Sequence, residues 1–177
     1  ISQRAMPGCR ILAVKDQYVI FNKSYGYLTY DSIRPVNDST MYDIASVTKM
    51  AASALMLMKL YEDRKIDLDK KIVDYYPGFA DNGATIRDAL AHQAGFRPGI
   101  DIKRIEPELY KSCVSDPNYV PSIARRKILQ DVMAQPMKTP GEYLYSDIGF
   151  YFYPEFTSRF YGLAFTNFLN EWFYYPL

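Results

Sequence analysis

With one histidine and two cysteines in 177 residues, the chain has little with which to build a transition-metal centre. A His-rich metal site is excluded, and Cys9 and Cys113 lack the paired spacing of a zinc site, leaving them to bridge or to stay free. Long apolar runs are also missing. The longest candidate, Met50 to Met58, is interrupted by Ser53 and falls short of the roughly 18 residues of a membrane span. Charge of one sign is missing too: 21 Lys and Arg against 20 Asp and Glu leave a formal net charge of +1, which gives no electrostatic reason to expect nucleic acid or an anionic membrane as partner. No Gly-x-Ser-x-Gly turn is present, so a nucleophile elbow served by His92 in a Ser-His-Asp triad is not indicated. His92 precedes Gly95 and reads instead as a structural residue of a helix-ending turn, hydrogen-bonding to backbone while Gly95 accepts a positive φ.

The chain has a length that fits one domain with a real core. Arg10 to Val14 and Tyr18 to Asn22 are β-prone runs separated by Lys15-Asp16-Gln17, which predicts a hairpin. Helical patterns follow. Met50, Ala54, Leu57, Met58 and Tyr61 recur at three- and four-residue steps, predicting a helix from about Ser46 to Asp63 with these residues in the core. Asp69 to Tyr75 reads as a short helix stopped by Pro77-Gly78. Thr85 reads as the cap of a helix that Gly95 ends, and Ile123 to Met133 as an amphipathic helix with Arg125, Arg126 and Lys127 on a solvated face. Phe96 to Pro121, with four prolines, reads as an irregular excursion. Asp147 to Tyr161 is helical with a break at Pro154.

Ser46-Val47-Thr48-Lys49 opens the first of these helices. Residues three apart share a helix face, so the spacing places an ammonium beside a hydroxyl, a nucleophile with a base in reach. Such a four-residue pattern is expected about 0.7 times by chance in a chain of this size. The ordered set is more specific: Tyr42-Asp43-Ile44-Ala45 leading into Ser46, then Leu68-Asp69-Lys70-Lys71-Ile72, Leu90-Ala91-His92-Gln93-Ala94-Gly95-Phe96, and Pro140-Gly141 before Tyr145-Ser146-Asp147.

In this order the segments resemble those of the penicillin-binding-protein and class C β-lactamase-like serine hydrolases, and in wording they are most similar to lactamase-like domains attached to some Bacteroides-type β-N-acetylglucosaminidases. The resemblance implies an α+β, β-lactamase/transpeptidase-like fold. Residues 1–177 would form a single, incomplete serine-hydrolase domain, with 1–34 the hairpin edge of an unfinished antiparallel sheet and 35–177 the helical region. It implies Ser46 as acylated nucleophile, Lys49 and Tyr145 sharing the proton transfers, and no cofactor or metal. The implied substrate is a small acyl compound (an ester, a β-lactam or a D-amino-acid peptide), and the implied location is the bacterial periplasm or cell envelope. A phenolate at Tyr145 held by the Lys49 ammonium would take the Ser46 proton.

Two departures accompany the resemblance. Asp147 stands where many relatives have asparagine; it would either orient substrate or cap the helix that follows, and a carboxylate beside Lys49 would stabilise the ammonium. The family's Lys/His-x-Gly strand is missing, because no glycine here has Lys or His two positions earlier. Ile1 and the apolar ending Trp172 to Leu177 add the expectation that chain is missing at both ends, with a further segment or domain covering the terminal aromatics. The expected activity of the fragment is therefore weak or nil. The alternative is a catalytically silent domain used for binding or for contact with a glycosidase domain.

Overall fold

The computed structural model describes residues 5–101 and 122–177, apart from the side chains of 122–125. The described residues fall into two compact units, Ile1–Ala45 and Ser46–Leu177.

The first unit is the predicted hairpin, longer than its β-branched core suggested. Strands β1 (Gly8–Lys15) and β2 (Tyr18–Gly26) pair antiparallel from Gly8↔Gly26 to Lys15↔Tyr18, with an irregularity after Ala13. Lys15 belongs to the ladder, so the connection is two residues. Asp16 and Gln17 take φ of 50° and 69°, the left-handed pair that lets a two-residue turn follow the strands' twist. Arg10 fixes the following segment, its guanidinium donating to Asn22 Oδ1 at 3.2 Å and to the Asp38 carbonyl at 2.7 Å. Among the described residues the sheet has two strands.

The second unit is helical. Its first helix begins as a π-helical turn, Lys49–Ala54, and continues as α1 (Leu55–Glu62). The extent matches the pattern in sequence, but the buried face does not. Ala52, Ser53, Met56, Leu57 and Leu60 face the core, whereas Met50, Met58 and Tyr61 are 69 %, 66 % and 55 % exposed. The segment is apolar on more than one side, and periodicity cannot choose between two adjacent apolar rows. Ala54, Leu57, Met58 and Tyr61 line a small open apolar cleft with Leu68 and Leu90.

Two further expectations shift. The helix read from Asp69 starts only at Ile72, as α2 (Ile72–Tyr75), because Lys71 is extended and bridges Thr85: Ile72 N–H donates to the Ala84 carbonyl and Ile86 N–H to that of Lys70. Helix α3 (Ile86–Leu90) has the cap read from the sequence. Asp88 N–H donates to Thr85 Oγ1 at 3.1 Å, and Thr85 N–H donates back to Asp88 Oδ2 at 2.8 Å. It ends at Leu90 rather than near Gly95, since His92 already turns the chain at φ 59°.

Helices α4 (Ser122–Met133), α5 (Ile148–Phe152), α6 (Glu155–Tyr161) and α7 (Phe165–Leu169) complete the unit, with a π-helical turn at Asn170–Tyr174. The break between α5 and α6 falls at Tyr153-Pro154, where the missing proline N–H ends the ladder. Most of the excursion read at Phe96 to Pro121, and Cys113 and Arg125 as a side chain, lie outside the described residues; Cys9 is free and Arg126 and Lys127 are exposed. No described helix is long and apolar enough to cross a membrane.

Aromatic residues hold these short helices together. Tyr76 packs edge-on against Phe152 at 4.8 Å between centroids and donates its hydroxyl to the Phe152 carbonyl at 2.8 Å; Phe79 meets Phe152 at 5.1 Å and Phe96 at 5.7 Å. Each buried ring contributes about 1.5–3 kcal/mol by removal from water. The cluster fixes α5, and α5 fixes the loop in front of it.

That loop is laid along the turn after α3. Lys138 N–H donates to the Gly95 carbonyl and Gly141 N–H to that of Gln93, while Asn82 Nδ2 bridges the carbonyls of Ala94 and Lys138 at 2.9 and 2.7 Å. Gly95 sits at φ 79°, and a Cβ there would lie 2.1 Å from the Lys138 carbonyl oxygen. Gly83 has a similar φ of 84° with no atom near the Cβ position. Gly95→Ala is therefore expected to destabilise by several times the ~1 kcal/mol of backbone strain expected for Gly83→Ala. Thermal unfolding of the two variants side by side measures the difference, and equal losses would show that the close approach is not a constraint.

Candidate active site

Ser46 lies at the entrance of the first helix. The residue before it, Ala45, holds a positive φ of 43°, an uncommon conformation for a residue with a Cβ, and its N–H donates to Asp43 Oδ1 at 2.7 Å. Lys49 N–H closes the first turn on the Ser46 carbonyl, and Lys49 Nζ donates to Ser46 Oγ at 3.1 Å. The three-residue spacing brings the two side chains together as the sequence implied.

Tyr145 arrives from the far end of the chain, with its Oη 2.8 Å from Ser46 Oγ. Lys49 Nζ lies 5.1 Å from the Tyr145 ring centre and 5.3 Å from that of Phe150. Asp147 completes the group, its Oδ1 accepting from Lys49 Nζ at 2.5 Å. The Asp147 side chain makes no cap bond to α5. Ser146 does that work: its Oγ accepts from Ile148 N–H at 3.1 Å and donates to the Arg97 carbonyl at 2.6 Å. The capping alternative for Asp147 is thereby corrected, because the neighbouring hydroxyl holds the free N–H and leaves the carboxylate for the ammonium.

The charges are set by these contacts. Desolvation of Lys49, whose side chain is 15 % exposed, works against its charge, but the hydrogen bonds and attraction of Asp147 and Tyr145 outweigh it and hold the ammonium above the ordinary lysine range. Tyr145 moves the other way. Its hydrogen bond to Ser46, then that with Lys49 and the lysine's charge, draw the phenol below its ordinary value against partial burial and the repulsion of Asp147. His92 is kept below the ordinary histidine range by burial and by Lys49. Its Nδ1 accepts Ser146 N–H at 3.2 Å, and its ring lies 4.4 Å from that of Tyr145. The arrangement thus sets an ammonium, held above its ordinary pKa, beside a phenol drawn below its own and a serine hydroxyl.

Sequence reading missed Ser146 and Asn82. Ser146 lies inside the Tyr145-Ser146-Asp147 motif, but nothing local marks its hydroxyl as the cap. Asn82 precedes Gly83 and signals only a turn. Among the described residues no three His, Cys, Asp or Glu side chains are grouped to hold a metal ion.

The Beta-lactamase family profile matches residues 1–177, and the chain belongs to that family. Among its relatives, the "Putative D-alanyl-D-alanine carboxypeptidase" of Escherichia coli (strain K12) is 29 % identical over 189 residues, covering 97 % of this chain and 42 % of that protein. A protein of the same name from Salmonella typhimurium is 30 % identical over 164 residues, covering 81 % and 35 %. The chain therefore spans well under half the length of these relatives. The fold is that of the octameric penicillin-binding protein homologue from Pyrococcus abyssi, with a TM-score of 0.75 at 23 % identity over 99 % of this chain and 40 % of that one. The D-amino acid amidase from Ochrobactrum anthropi SV3 gives 0.72 at 20 % identity over 99 % and 46 %. The hairpin and helices are thus part of an α+β, β-lactamase/transpeptidase-like fold.

Asp147 is the contact that can be removed most cleanly. In Asp147→Asn the causes that raise the Lys49 pKa are reduced while desolvation stays, so the lysine is expected to lose its proton at lower pH than in the wild type. Titration of the labelled Lys49 side chain by NMR measures this. An unchanged midpoint would mean that the ion pair does not govern the ammonium.

Proposed function

We propose that this chain carries the acylation centre of a serine hydrolase, with Ser46 as nucleophile, Tyr145 as its base and Lys49 as the fixed positive charge that makes the phenolate accessible. One observation carries the reading: Ser46 Oγ lies within 2.8 Å of Tyr145 Oη and 3.1 Å of Lys49 Nζ, although Tyr145 is 99 residues away in sequence. Between the two candidate bases the electrostatics favour tyrosine, because Lys49 is held charged and Tyr145 is drawn toward ionisation. In the proposed step Tyr145 O⁻ takes the Ser46 hydroxyl proton as Oγ bonds to the acyl carbon. The proton then passes from Tyr145 to the leaving group as the bond between the acyl carbon and the leaving group breaks, which leaves an acyl ester on Ser46.

The substrate class best supported is a small acyl compound of the D-amino-acid peptide or amide type, with esters and β-lactams as close alternatives. The names of the E. coli relative and of the amidase of like fold support this. A periplasmic or cell-envelope location is proposed on the same ground. The Lys/His-x-Gly strand that such enzymes use to align substrate has no counterpart in these 177 residues. Since one lost oxyanion donor costs about 10²–10³ in rate, turnover by this chain alone is expected to be weak.

A fluorophosphonate supplies its own reactive phosphorus and tests the nucleophile more directly. Intact-mass measurement is expected to show one adduct that maps to Ser46, disappears in Ser46→Ala and forms about 10²- to 10⁴-fold more slowly in Tyr145→Phe. Labelling elsewhere, or an undiminished rate in Tyr145→Phe, would overturn the assignment.

A second reading is favoured by the 2.5 Å contact of Lys49 with Asp147. If the carboxylate draws the ammonium away from the tyrosine, the domain is a silent scaffold for binding. Its signature would be a wild type that does not label and an Asp147→Asn variant that does.

A further inference from the structure

We propose that His92 is the positioning residue for Tyr145, holding the phenol over Ser46 by binding the chain on both sides of it. The proposal rests on the reading of Tyr145 as the base.

The segment from Lys138 to Asp147 reaches the site without regular secondary structure, and Tyr145 is 41 % exposed. Something other than a helix or strand must fix its side chain. The His92 carbonyl accepts Leu144 N–H at 2.9 Å, and the His92 ring accepts Ser146 N–H on Nδ1 at 3.2 Å. A single residue therefore anchors the positions immediately before and after Tyr145. The ring also lies against that of Tyr145, 4.4 Å between centres at 35°, and is itself flanked by Phe150 at 5.6 Å and Tyr143 at 6.0 Å.

The contact specifies a tautomer. An Nδ1 that accepts a hydrogen bond has its lone pair free, so the neutral ring carries its proton on Nε2. Burial and the nearby Lys49 ammonium oppose protonation, while the charge of Asp147 favours it; the net effect keeps the ring neutral to lower pH than an ordinary histidine. A proton on Nδ1 would set a donor against the Ser146 N–H and release that side of the bracket.

A purely conformational role makes a different forecast. His92 has φ 59°, and if only that turn mattered, glycine would serve as well or better. His92→Gly keeps the turn and the carbonyl that accepts Leu144 N–H, and removes the Nδ1 acceptor and the ring. His92→Asn keeps a residue that tolerates the left-handed region and offers an amide oxygen to Ser146 N–H.

The experiment is fluorophosphonate labelling of Ser46 in the full-length protein, resolved into a maximal rate (kinact) and an inhibitor affinity (KI), with folding checked by thermal unfolding. His92→Gly is expected to lower kinact about 10- to 100-fold, the scale of a misplaced catalytic group, with KI unchanged. His92→Asn is expected to recover part of the loss. Wild-type kinact in His92→Gly, or a loss carried by KI alone, overturns the proposal. If His92→Gly does not fold, His92→Ala decides, since it too removes Nδ1 and the ring: a reduced kinact with KI unchanged supports the role and a wild-type kinact overturns it. Tyr145→Phe separates the two layers. If it labels at the wild-type rate, the base assignment falls and this inference with it. If it is slow while His92→Gly is fast, only the role of His92 falls.

Discussion

The Lys49 ammonium is held on three sides, by Ser46 Oγ at 3.1 Å, Asp147 Oδ1 at 2.5 Å and the face of Tyr145, and the remaining features of the site depend on that placement. Burial of an ammonium without partners lowers its pKa. Here the carboxylate keeps it charged, and the charge then works on Tyr145. The same carboxylate also opposes ionisation of the phenol, so Asp147 acts in both directions. Geometry decides the balance: Asp147 grips the lysine directly and reaches Tyr145 only through the field. An exposed pair of this kind would be worth about 1 kcal/mol or less. The significance of this one lies in fixing which group carries charge rather than in stability.

Placement of Tyr145 is a packing problem solved at a distance. The Tyr76, Phe79, Phe96 and Phe152 rings fix α5, and Ser146 caps it. The turn after α3 then holds the incoming chain through Gly95, Gln93 and His92. Gly95 permits the close approach that side chains would forbid. A loop brings Tyr145 and Asp147 to the first helix, and short helices locked by aromatic rings provide the rigid support.

Local signals in the sequence were enough for the hairpin, the Thr85 cap, the break at Pro154 and the proximity of Ser46 to Lys49, because each depends on residues a few positions apart. The approach of Tyr145 to Ser46 depends on tertiary packing and was legible only through the order of motifs. Pattern alone does not separate the exposed row of Met50, Met58 and Tyr61 from the buried row through Ala52, Met56 and Leu60, since both are apolar. Asp147 was read with its effect on the ammonium but without its cap excluded. The sequence offers His92 as a backbone-bonding residue of its turn, but its partners Leu144 and Ser146 have no local signature, because they lie far along the chain.

The central claim is that Lys49 stays an ammonium and Tyr145 becomes the ionisable partner. Ultraviolet difference titration of the wild type against Tyr145→Phe isolates the Tyr145 phenol from the other tyrosines. Its phenolate is expected to appear at lower pH than that of an unperturbed tyrosine, whose pKa is about 10. A midpoint at or above that value would contradict it.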